Sequence, residues 1–272
     1  MPVRVSAGAF GPGLPIHDLR LSPDHAVYVD GVLIPIRYLL NGDTILQERA
    51  AVVTYFHVEL DQHGIILADG LPCETYLDPG NRAAFENGGT LVQANPDFAL
   101  RIWETESCAT LVVAGPHLAA IKTRLLHHGA TLGHGLTEEP DVHLIVDGNP
   151  IRPTRDGRHD RFAVPADVHV AQLASRHFVP AQMFPTLDDP RRLGVAITGL
   201  ILDGRATALD DPRLADGWHS AEAGLRWTDG DAGLVLTGVR DLAFDVAMVG
   251  QYWLQAIPMT GAHARSALVG RM

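Results

Sequence analysis

The sequence predicts a mainly β protein, with an antiparallel β-sandwich behind a smaller β module and one bracing helix. Three observations carry this. Short apolar runs end in Asp-Gly at 30–31, 147–148 and 203–204, a pair suited to the positive-φ positions of a tight hairpin turn. The runs are three to ten residues long and several alternate, which is the period of a strand with one face buried. Apart from a turn and brief helix over 76–85, only one segment has helical spacing, so the strand–helix alternation of a doubly wound sheet is missing.

In chain order, residues 2–6 alternate, 11–15 are a Gly/Pro-rich loop, and 25–29 with 32–40 read as a hairpin about Asp30-Gly31. Pro35 puts the return strand at an edge or bulge, and Asn41-Gly42 is a second turn. Residues 51–60 and 65–67 read as another strand pair turning at His63-Gly64. From Pro116 to His128, Leu118, Ile121 and Leu125 share a face. Pro116 suits the first helical position and Gly129 a position just past the end. Strands return over 142–146, 161–164, 168–173, 193–202, 225–227, 233–236 and 242–249. The expected organisation is a first module over 1–90, a connector over 91–135 holding helix 116–128, a sandwich over 136–255 and a tail over 256–272.

Composition narrows the function. Of 272 residues, 46% are hydrophobic and 19% charged, enough apolar surface for a packed core and unlike a disordered chain. The net charge of −11 disfavours a general nucleic-acid binder, which needs a basic face. No apolar run reaches the length of a membrane-spanning helix, and the first residues lack the basic and apolar regions of a secretory leader. The expectation is a soluble protein, cytoplasmic or secreted by a non-classical route, with no nucleic-acid partner. Cys73 and Cys108 have neither metal spacing nor the number of a disulfide scaffold.

The chemistry-bearing text is Ser22-Pro-Asp-His25. One reading makes Ser22 and Asp24 turn formers and His25 a buried hydrogen-bonding residue. The other lets His25 donate to a carbonyl or a leaving amine, with Ser22 helping to hold it. His57 and His63 invite a metal, but the turn after His63 disrupts a shared strand face and no further ligands complete a set. No metal or other cofactor is expected.

Residues 2–82 resemble the later part of a bacterial Hedgehog/intein (Hint) domain. The resemblance rests on Ala7-Gly-Ala-Phe-Gly-Pro-Gly-Leu-Pro15, Asp18-Leu-Arg-Leu-Ser-Pro-Asp-His25, Asp30-Gly-Val-Leu-Ile-Pro35, Leu40-Asn-Gly42, Tyr55-Phe-His-Val-Glu-Leu-Asp-Gln-His63 and Glu74-Thr-Tyr-Leu-Asp-Pro-Gly-Asn-Arg82. It implies an all-β module that cleaves or rearranges the peptide bond at its own N-terminus, with an upstream peptide segment as its partner. Ser22 and His25 fall at the family's Thr-x-x-His block, and His63 at a later histidine, so these three are the implied catalytic residues.

The family starts with a Cys or Ser nucleophile, and no cysteine precedes Cys73. An N-terminally truncated domain, inactive for want of that nucleophile, is therefore expected. The alternative is an active protein whose true start lies upstream. Gly70-Leu-Pro-Cys-Glu-Thr75 lacks the terminal His-Asn of inteins, which argues against splicing.

Residues 100–254 resemble an extension that follows such segments in bacterial proteins, through Ser175-Arg-His-Phe-Val-Pro-Ala181, Asp188-Asp-Pro-Arg-Arg-Leu-Gly-Val-Ala-Ile197, Gly217-Trp-His-Ser-Ala-Glu222 and Arg226-Trp-Thr-Asp-Gly-Asp-Ala232. No activity follows from that likeness. A non-enzymatic module binding glycan or protein at Trp218, Arg226 and Trp227 is the further alternative, against which stands a core role for Trp227 and ion pairing for Arg226.

Overall fold

The computed structural model describes residues 1–78 and 103–254, and among these the chain is mainly β with few helical segments. Four Asp-Gly pairs form the sharpest hairpin turns. Asp30, Asp69, Asp147 and Asp203 have φ near +50°, and the glycine after each is also positive. Asp tolerates this conformation better than most side chains and Gly adopts it freely. Each pair therefore sets the register of the strands it joins, as in Val29 opposite Val32 and Ala68 opposite Leu71.

Two sheets make the N-terminal unit. In one, Val3–Val5 lies between Leu19–Leu21 and Ile45–Gln47. In the other, the order is Ile65–Ala68, Leu71–Glu74, Ala26–Val29, Val32–Pro35, Thr110–Leu111. The last strand joins parallel, so chain from the expected connector completes this sheet. Both sheets supply one core that includes Val3, Val5, Val27, Ile34, Ile45, Leu71 and Cys73.

The strand pair expected from 51–60 and 65–67 is corrected. Residues 52–60 carry no strand, and Ile65–Ala68 pairs instead with Leu71–Glu74. The turn is Asp69-Gly70, whose backbone suits a hairpin, rather than His63-Gly64. Val52, Phe56 and Leu60 are exposed, so apolar alternation here lacked a face to bury.

Helix α1, Pro116–Thr131, runs past the expected stop. Gly129 lies inside it, where a Cβ would come within 3.3 Å of Trp253. This glycine serves close packing, and Gly133 at φ +91° follows the helix end. Leu118, Ile121 and Leu125 enter the N-terminal core. Leu126 packs with Phe178, Leu193, Trp227 and Tyr252, so the helix braces both halves. Hydrogen bonds reinforce the junction, from Trp253 Nε1 to Asn41 O and from Lys122 Nζ to Ala181 O, at 2.8 and 2.6 Å.

Residues 136–254 hold a four-stranded and a six-stranded antiparallel sheet. Both send side chains into a single core that includes Leu144, Phe162, Leu173, Ile197, Leu234 and Phe244. The aromatic surface expected at Trp218, Arg226 and Trp227 is corrected at Trp227, which is 7% exposed and belongs to the helix-side core. Trp218 packs partly against the sheet core and donates to Gly233 O. Its ring also lies 5.7 Å from the Arg226 guanidinium, which donates to the His219 and Leu209 carbonyls.

Gly250 tests this packing. A Cβ there would lie 2.2 Å from the Phe178 ring, which is held edge-on by Trp227 and Tyr252. Gly250→Ala should cost about 1–3 kcal/mol through overpacking, read as a lower urea midpoint at unchanged slope.

Candidate functional site

The site forms where the Asp69-Gly70 hairpin meets the start of Ala26–Val29. The turn at Ser22–Asp24 is closed by His25 N–H donating to Ser22 O at 3.0 Å, so a main-chain bond links the two. Val27 pairs with Cys73, which brings Glu74 beside Ala26. Glu74 Oε1 accepts the Ala26 N–H at 2.7 Å. Across the hairpin, Ile65 lies opposite Glu74, and His63 Nε2 comes to 3.6 Å from Glu74 Oε2. His63 and Glu74, eleven positions apart in sequence, are thus neighbours because the hairpin folds back.

Around them, the His57 ring lies 5.4 Å from the His25 ring and 5.9 Å from Tyr76. Trp103 stands edge-on to His63 at 5.7 Å. Cys108 N–H donates to His63 Nδ1 at 3.1 Å. Among the described residues no group of three or more His, Cys, Asp or Glu is placed to hold a metal.

Burial dominates the electrostatics. It pushes His25 from 6.5 to about 4, helped by His57 and opposed by a hydrogen bond to the Glu74 main chain. It lowers His57 and His63 as well. It raises Glu74 from 4.5 to about 7, opposed by the Ala26 hydrogen bond. It raises Cys73 to about 12, with the Glu74 charge adding to the effect. The exposed Cys108 is also raised, by partial burial first. The environment thus favours neutral groups, because a low dielectric penalises charge of either sign.

Residues 1–80 match the family model described as Hint domain. A Hint-like domain therefore occupies residues 1–80. Neither a curated protein nor a solved structure matches the chain. The Hint domain contains Ser22, His25 and His63, and the fold brings both histidines to Glu74. Residue-by-residue sequence reading missed Glu74 and Cys108. An acidic residue closing the strand after Asp69-Gly70 was a usable signal for the first, whereas Cys108 carries none.

The pH dependence follows from the signs. His25 has a lowered folded pKa, so its contribution to stability is full above 6.5 and lost as pH falls toward about 4. Glu74 has a raised one, so its contribution is full below 4.5 and lost as pH rises through about 7. The two oppose each other between those limits. Glu74→Gln removes the second arm, and the variant should lose stability on acidification from neutrality more steeply than wild type. The ceiling is about 1.4 kcal/mol per pH unit per proton bound. Urea midpoints at acid and neutral pH check this; parallel profiles would exclude a buried, protonated carboxyl.

Proposed function

We propose that the Hint-like domain is a peptide-bond self-processing module in which the described residues handle the proton. The observation that supports it best is the half-buried His25 imidazole beside Glu74 and His57, which its surroundings hold toward the neutral form. A peptide bond resists attack until its carbonyl is polarised and its nitrogen can take a proton. A neutral imidazole offers one donor and one acceptor without bringing charge into the site.

Neither described thiol is primed to attack. The thiolate is the nucleophile, and with Cys73 pushed up to about 12 only about one molecule in 10⁵ carries it at neutral pH. Its side chain also faces the core. Cys108 is exposed, but its thiol too is held toward the protonated form.

The chain alone should therefore remain one species by intact mass after incubation with a strong thiol. A discrete thiol-dependent fragment would overturn the loss of self-cleavage. Joined behind a Cys-led upstream segment, the same chain should release that segment on thiol addition. His25→Ala should then slow release about 10²–10⁴-fold, the usual weight of a general acid or base. An unchanged rate would remove His25 from the role.

A further inference from the structure

Glu74 is a carboxyl in a sheet interior, and each of its oxygens meets a different element. Oε1 is tied to the Ala26 N–H at 2.7 Å, directly after His25. Oε2 has no hydrogen-bond partner among the described residues, and neither has the nearby His63 Nε2. The His63 side chain is 1% exposed and that of Glu74 10%. Buried polar atoms are rarely left unpaired in folded proteins, so a pair of them facing one another across 3.6 Å is a built feature to be explained.

The geometry also assigns the histidine's proton. Cys108 N–H donates to Nδ1, so Nδ1 is the bare nitrogen, and a neutral ring then carries its hydrogen on Nε2. That N–H is adjacent to Glu74 Oε2. A carboxylate there can accept it fully, whereas a carboxylic acid must turn its Oε2 hydrogen away from that N–H.

We propose that Glu74 and His63 form a proton couple: Glu74 Oε2 releases and recovers the site's proton, and His63 Nε2–H stabilises the carboxylate that release leaves behind. This rests on the reading of the Hint domain as a proton-handling site. On release the Oε2–H bond breaks, its electron pair stays on the carboxylate, and the proton leaves to solvent. Water returns the proton. His63 remains neutral throughout, and Cys108 holds its tautomer through the main chain. Among the described residues, the ionisable groups near the couple include His25, His57, Cys73 and Cys108. Burial holds both histidines toward the neutral form and both thiols toward the protonated form, and it brings Glu74 to about 7.

The test is a pH titration of the full chain by NMR, following the Glu74 carboxyl carbon and the His63 ring nitrogens. The expected result is a single step near neutrality shared by both residues. Nε2 should shift while Nδ1 keeps the signature of an acceptor. Glu74→Gln should abolish the step at His63 and retain protection of the Ala26 amide, since the amide oxygen can still accept its hydrogen bond. A Glu74 carboxyl ionised across the range, or a His63 step that persists in the variant, overturns the couple. Should the variant fail to fold, the wild-type titration decides the matter alone. Failure of the self-processing reading shows elsewhere, as an upstream-segment release rate that His25→Ala leaves unchanged.

Discussion

Glu74 is buried where three pieces of chain converge, and the arrangement of the Hint-domain site depends on where its carboxyl is held. The hydrogen bond from Ala26 N–H to Oε1 connects the strand after the turn at Ser22–Asp24 to the hairpin that carries His63. The Val27–Cys73 and Ile65–Glu74 pairings put the carboxyl in register with both. A buried acceptor in this position is costly to lose, because a backbone donor without a partner has no water to turn to. The same burial that makes the bond matter raises the carboxyl toward neutrality and lowers the histidines.

The N-terminal core is closed by chain from further along. Thr110–Leu111 extends its second sheet, and helix α1 contributes Leu118, Ile121 and Leu125. Through Leu126 the helix also packs into the cluster around Phe178, Trp227 and Tyr252. The two halves therefore share apolar burial, the main stabilising contribution in folding. Trp253 donating to Asn41 O, and Gly129 admitting the Trp253 ring close to the helix, lock one orientation of that contact.

Much of the architecture was legible because its cause is local. Asp30-Gly31, Asp147-Gly148 and Asp203-Gly204 turn the chain through backbone conformations that few other pairs adopt. The apolar face of Leu118, Ile121 and Leu125 is a matter of helical spacing. The errors share a cause too. Residues 51–60 alternate like a strand, yet 52–60 carry none and leave Val52, Phe56 and Leu60 exposed. Gly129 looks like a helix terminator, yet a tryptophan some 120 positions later needs the space. Trp227, for which the sequence left both a surface and a core role open, fills a core.

What the sequence determined alone was the β class, the hairpin turns, the helix face and the likeness to a Hint domain, including Ser22, His25 and His63 as residues to watch. Each depends on neighbours a few positions away or on an order of motifs. Tertiary structure alone decided that Glu74 joins the two histidines, that Cys108 sets the His63 tautomer, and that Cys73 is sealed in the core. Those outcomes depend on strand register and burial, and a shift of one residue in pairing would turn Glu74 to the opposite face of its sheet.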